Sequence, residues 1–204
     1  MSVFMSSDYL YQSAIAFKNL LPVKYRLFLG RKGKSLEFII TFNSADFFHL
    51  SALHKLNNYQ LKRLSKGRIF NSILNKEISD TIFKNHTSAD EILQRIKVLT
   101  QLEILLDDNN TVFFNYDAKK VNFSNISADY IAKSLLDGSQ MVFSFFIKED
   151  ERNTSDHSSY RLSSIFPFSK YDYSERQTKY TVLLKEKITA NDKILLYRHK
   201  NFND

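Results

Sequence analysis

Apolar positions recur at three- and four-residue spacing over residues 8–110, apart from a hairpin near residues 24–42, and give way to β-like runs after Thr111. Ser7-Asp8 offers an N-cap for a helix running to about Leu21, with Ala14, Ile15, Phe17, Leu20 and Leu21 on helical spacing and Pro22 ending it. Lys24–Leu29 and Ser35–Phe42 read as two strands of a hairpin about Gly30-Arg31-Lys32-Gly33. Asn43-Ser44 then caps a helix that contains FFHLSALHKL, residues 47–56. Further helices are predicted over Lys66–Lys76 and Ile78–Asn85. A longer one follows the carboxylates of Asp90-Glu91, carried by Ile92, Ile96, Leu99, Leu102, Leu105 and Leu106 as far as Asp107–Asn110.

The second half predicts strands at Thr111–Tyr116, Asp129–Leu136, Gln140–Lys148, Tyr160–Phe166, Thr178–Ile188 and Lys193–His199, all rich in aromatic and β-branched residues. Asp137-Gly138 is a hairpin signal, and Glu149–Ser158 and Ser169–Gln177 are polar loops. The expected fold class is α+β, with N-terminal helices and a hairpin packed on a C-terminal antiparallel β-meander. One domain of 204 residues is expected, helix-rich and basic over residues 1–110 and sheet-forming over residues 111–204.

Composition narrows the chemistry. There is no cysteine, which excludes a disulfide scaffold, a thiolate zinc site and a cysteine nucleophile. Four glycines, at 30, 33, 67 and 138, make no phosphate-cradling loop, so kinase, P-loop and Rossmann readings fall away. No G-x-S-x-G elbow supports a serine hydrolase. The N-terminus lacks the basic and apolar regions of a signal peptide, and no apolar run approaches the ~18 residues of a membrane span. A cytoplasmic protein with no membrane partner is expected.

The net charge of +7 is uneven: residues 1–76 hold twelve Lys/Arg against Asp8, Glu37 and Asp46. An excess of that kind points to an anionic partner, RNA before others, with Lys62, Arg63, Lys66 and Arg68 as candidate contacts. A solvated basic face is the plainer alternative.

Two histidines five residues apart in an apolar run are the candidate chemistry. On a continuous helix His49 falls in the middle of the apolar arc, while His54 lies at its edge near the polar stripe of Ser51 and Lys55. His49 is thus either a core imidazole or a general acid/base, since its pKa lies close to the working pH. The five-residue spacing sets the rings about 140° apart and no H-E-x-x-H pattern occurs, so no metal and no cofactor are expected. Metal-free RNA cleavage needs a base, an acid and cations for the phosphorane. Arg161, Ser164 and Tyr180 join His49, His54 and Lys55 as candidates. Strict alternation would place Tyr160 with Ser164 on one face and Arg161 with Ser163 on the other.

The stretch F-N-S-A-D-F-F-H-L-S-A-L-H-K-L, Phe42 to Leu56, resembles an F-x-H-L-x-G-x-H-K-L core of a phage and mobile-element family in the barnase–EndoU–colicin–RelE-like nuclease group. Arg95-Ile96 in a following helix, Asp129-Tyr130 at a strand start and Ser164-Ile165-Phe166 extend the resemblance over roughly residues 36–188. It implies a ribonuclease-like fold of helices on a four-stranded antiparallel meander, and a toxin or RNA-cleaving role. A cognate inhibitor or host protein is a further expected partner. Ala52 stands where the family often has Gly, a change that a helix would tolerate or prefer. The rival reading is a non-catalytic, antidefence protein that binds nucleic acid or a host protein on the same fold. Transfer chemistry on a nucleotide cofactor is a third, and would need a deep pocket.

Overall fold

The computed structural model describes residues 8–121, 124–149 and 159–202; Ser7 and most of the Glu149–Ser158 loop lie outside them. The first helix, α1 (Tyr9–Leu20), buries Leu10, Ala14, Phe17 and Leu20. Its N-terminus is held twice. Asp8 caps Tyr11 N–H, and the carboxylate of Asp80, seventy residues on, accepts from Tyr9 and Leu10 N–H at 3.2 and 2.9 Å. Those are orphan donors that a helix must satisfy from outside itself.

Strands β1 (Lys24–Arg31) and β2 (Lys34–Thr41) pair antiparallel about a two-residue turn. Lys32 and Gly33 both take positive φ, 49° and 73°, the combination that matches the twist of a tight hairpin. After β2 the single helix expected over FFHLSALHKL is broken. Asn43 caps a 3-10 turn at Ser44–Asp46, α2 covers only Phe47–Leu50, and a second 3-10 turn takes Leu53–Lys55. Between these pieces Ala52 sits at φ 62°, ψ 14°, the left-handed region.

Short α3 (Tyr59–Lys62) leads to α4 (Lys66–Leu74), capped by Ser65. Of Ile78–Asn85 only a 3-10 turn at Asp80–Ile82 is helical. The long amphipathic helix divides into α5 (Ala89–Leu99) and α6 (Leu102–Asp107). Thr100 lies at the break and turns its hydroxyl onto Lys97 O at 2.6 Å, the local bond by which a threonine competes with helix.

The strands follow the expected runs closely: β3 (Val112–Asn115), β4 (Tyr130–Leu136), β5 (Gln140–Lys148), β6 (Ser159–Pro167), β7 (Thr178–Ile188) and β8 (Lys193–Arg198). Their arrangement differs from a hairpin packed on a separate sheet. The order is β1-β2-β6-β5-β4-β3-β7-β8, and β1 also pairs with β7, so among the described residues seven strands close into a barrel with β8 flanking β7. The N-terminal hairpin enters the sheet and closes it, through a parallel β2–β6 junction of three residue pairs on one side. Closure removes sheet edges that a hairpin and a meander would each leave exposed.

Phe38 on β2 meets Phe113, Tyr130, Phe146 and Tyr160 from four other strands, with ring centroids 4.0–5.9 Å apart, and these fill the barrel interior. At one end α6 is tied on by buried polar groups. Lys185 Nζ donates to the carbonyls of Leu106 and Asp108, Lys187 binds Glu103 and Asp107, and Tyr25 Oη donates to Asp107 at 2.6 Å. Lys185 thereby caps the helix's carbonyl end, although burial lowers its pKa to about 8. Outside the barrel a second apolar cluster gathers Tyr116, Ile131, Phe143 and Phe145 under Phe166 and Tyr173.

Candidate active site

The left-handed backbone at Ala52 governs what FFHLSALHKL presents. On one continuous helix His49 and His54 would diverge, but the reversal folds their rings together, centroids 4.9 Å apart, with Phe48 edge-on to both. His49 is half-buried and His54 exposed, so neither is the core imidazole that one sequence reading allowed.

Both imidazoles are held below their ordinary value of 6.5. Loss of solvent is the largest cause in each. For His49 the positive charge of Lys66 adds to it, with a smaller push from Arg161, while Asp46 opposes. For His54 the neighbouring charges are His49, Arg95 and Lys55, all unfavourable to a proton, and only a hydrogen bond with the Phe48 backbone counters them. Both rings therefore release a proton more readily than a free imidazole, with cations on several sides.

Arg161 lies beside this pair and binds Asp46, Nη1 to Oδ1 at 2.9 Å. Asp46, buried at the end of the 3-10 turn, has its carboxyl raised by burial, which outweighs the Arg161 contact. Next to His54, Lys55 Nζ meets Glu91 Oε2 at 2.5 Å, and Arg95 Nη2 meets Glu91 Oε1 at 3.0 Å. One carboxylate on α5 thus bridges two cations. Burial alone would raise its pKa, but Lys55 and Arg95 carry it below the usual value. Arg95 Nη1 donates to Ser164 Oγ at 3.2 Å, its guanidinium lies 5.1 Å from the Phe166 ring, and its Nε is buried without a partner. Lys55, Glu91, Arg95, Phe166 and Tyr173 line a cleft of about 310 Å³.

Ser164 reaches Arg95 through a feature that strict alternation misses. The β5–β6 register pairs Phe145 with Ser164 but Phe146 with Leu162, leaving Ser163 as an extra, bulged residue. A bulge shifts the pleat by one. Tyr160 consequently faces the barrel interior against Phe38, while Arg161 and Ser164 both reach outward, to Asp46 and Arg95. The expected grouping of Tyr160 with Ser164 is replaced by this one.

Five of the six candidate catalytic residues, His49, His54, Lys55, Arg161 and Ser164, are brought around one surface. Tyr180 is not: it lies in the barrel mouth, its ring 5.9 Å from Tyr130, beside Arg31, Lys32 and Lys34. Among the candidate nucleic-acid contacts, Lys66 is near enough to His49 to affect its charge. Lys62 Nζ donates to Asn57 Oδ1 at 2.5 Å, Arg63 stacks over Tyr59 at 4.3 Å, and Arg68 is exposed on the first turn of α4. Sequence reasoning does not single out Asp46 or Glu91 as site residues. The Glu91–Arg95 spacing of four on a helix is the available signal for one, and Asp46 has none beyond its place before α2.

A family model described as phage-Barnase-EndoU-ColicinE5/D-RelE like nuclease4 matches residues 9–201, a wider span than the 36–188 covered by the motifs. No curated protein and no solved structure matches the chain. None of the described helices is long and apolar enough to cross a membrane.

Proposed function

The chain belongs to the phage-Barnase-EndoU-ColicinE5/D-RelE like nuclease family, and from that membership we propose that it is an RNA-cleaving, toxin-like enzyme that needs no metal. The observation that carries the proposal is the pair of solvent-reachable imidazoles, 4.9 Å apart among Lys55, Lys66, Arg95 and Arg161.

His49, Arg95 and Lys55 all disfavour a proton on His54, which acts as the base. It takes the proton of a ribose 2′-hydroxyl, and the 2′-oxygen attacks the adjacent phosphorus. His49 has Asp46 nearby to favour a proton, and in its protonated, imidazolium form it acts as the acid. It gives that proton to the departing 5′-oxygen, leaving a 2′,3′-cyclic phosphate and a free 5′-hydroxyl. Charge gathering on the phosphorane oxygens is met by Lys55 and Arg161, which is the electrostatic work such a site must supply. Arg95, mostly buried, positions Glu91 and Ser164. Lys62, Arg63, Lys66 and Arg68 extend the positive surface along the RNA backbone. The five candidates gathered on this surface, the two histidines among them, support a ribonuclease-like arrangement; Tyr180 is given no catalytic role.

The test is incubation of purified protein with total RNA in EDTA. Discrete fragments ending in cyclic phosphate are expected, lost in His49→Ala and His54→Ala while the melting temperature stays within a few degrees. Intact RNA, or cleavage that both variants retain, sinks the proposal. One observation favours a second reading. Glu91 already neutralises Lys55 and Arg95, as it would if the cluster only braced a surface that binds nucleic acid or a host protein. RNA retention without fragments would select that reading.

A further inference from the structure

The barrel mouth holds a constellation that the histidine cluster does not use. Tyr130, Tyr160 and Tyr180 converge there, with Tyr130 5.3 Å from Tyr160 and 5.9 Å from Tyr180 between ring centroids. Their rings pack edge to face through Tyr130, and burial raises the pKa of both Tyr130 and Tyr160 above that of an ordinary phenol. Tyr130 and Tyr180 form one wall of a pocket of about 440 Å³ whose rim is Arg31, Lys32, Lys34 and Ser35.

The rim is a built feature. All three cations are exposed, and none forms an ion pair among the described residues. Lys32 occupies the first left-handed position of the hairpin turn, where Asn, Asp or Gly is the low-cost choice, so a charge is kept there against a backbone preference. Three unneutralised cations about a pocket with an aromatic wall suit one ligand chemistry. The phosphate meets the rim as charge-assisted hydrogen bonds, and a flat ring lies against tyrosine.

We infer that the barrel mouth is a nucleotide-binding site distinct from the histidine cluster, taking a nucleoside monophosphate or a terminal nucleotide with its phosphate at Arg31, Lys32 and Lys34 and its base against Tyr180 and Tyr130. The two sites lie on opposite sides of the barrel wall. On β6, Tyr160 looks into the mouth while its neighbour Arg161 reaches outward to Asp46.

Titration calorimetry with 5′-AMP, adenosine and inorganic phosphate tests this. AMP binds more tightly than either fragment, and Arg31→Gln with Lys34→Gln weakens it about tenfold or more. Lys32→Asn, which suits the turn and removes the charge, weakens AMP binding without loss of melting temperature. Tyr180→Ala weakens AMP more than it weakens phosphate. His49→Ala leaves AMP binding unchanged, so this result stands or falls separately from RNA cleavage. The inference is overturned if wild type does not bind AMP at millimolar concentration, or if the hairpin variants bind it as wild type does. It is also overturned if binding survives Tyr180→Ala but is lost in His199→Ala, because His199 borders the hollow on the outer side of the same hairpin.

Discussion

His49 and His54 face each other at 4.9 Å because Ala52, between them, takes the left-handed conformation. A non-glycine residue there carries a steric cost of about 1–2 kcal/mol. It also accounts for the glycine that the resembling motif often has at this position, which a continuous helix would disfavour.

Ala52 is fully buried, so its tolerance is narrow in both senses. Ala52→Gly relieves the backbone and removes one methyl group, and is expected to stay within about 1 kcal/mol of wild type. Ala52→Val adds β-branching at positive φ and is expected to lose about 3 kcal/mol. Chemical denaturation measures both. Equal stability of the two would contradict the role of the reversal.

The depressed imidazoles give a signed pH dependence. A group whose folded pKa lies below its unfolded value contributes stability above the unfolded pKa and loses it as pH falls through the folded one. For His49 and His54 that loss begins below about 6.5 and continues on the acid side. Imidazole carbon shifts followed by NMR should titrate below 6.5 for both, and Lys66→Gln should move His49 upward. A midpoint above 6.5 for either ring would be the wrong sign.

Glu91→Gln leaves the mostly buried Arg95 without its carboxylate and separates Lys55 from α5. A cost of about 2 kcal/mol is expected from the unpaired guanidinium. On the proposed mechanism the same change also alters salt dependence of RNA binding, since Lys55 is released. Denaturant midpoints and binding at two salt concentrations report the two effects independently.

Asp80→Ala removes the carboxylate that holds Tyr9 and Leu10 N–H, and should lower stability by about 1–2 kcal/mol. Amide exchange should quicken first in α1. Exchange unchanged there would mean that Asp8 alone secures the helix.

Strand positions are legible because aromatic and β-branched residues run continuously where the chain is extended: β5 at Gln140–Lys148 and β7 at Thr178–Ile188 keep the bounds expected from sequence. Strand neighbours are not. The β2–β6 junction joins Ile39 to Ser159, and β1 to β7 joins Lys24 to Ile188, and no local pattern encodes such distant partners. The same limit applies at the site. His49, His54 and Lys55 stand out as polar residues in an apolar run, but their common face depends on an alanine in a conformation that alanine does not prefer. Ser164 is selected by its chemistry but assigned to the wrong face by alternation, because one bulged serine inverts the pleat. Tyr180 is grouped by chemistry with residues that the barrel wall separates from it.

Barrel closure also imposes an order in time. His49 and His54 are synthesised in the first third of the chain, whereas Arg161 and Ser164 arrive on β6, and β1 has no closing partner until β7 follows. A nascent chain grows from its N-terminus at roughly ten residues per second, so the two histidines are made well before the groups that surround them. On the ribosome the imidazole pair is an unfinished site, and completion of the barrel is also completion of the cluster.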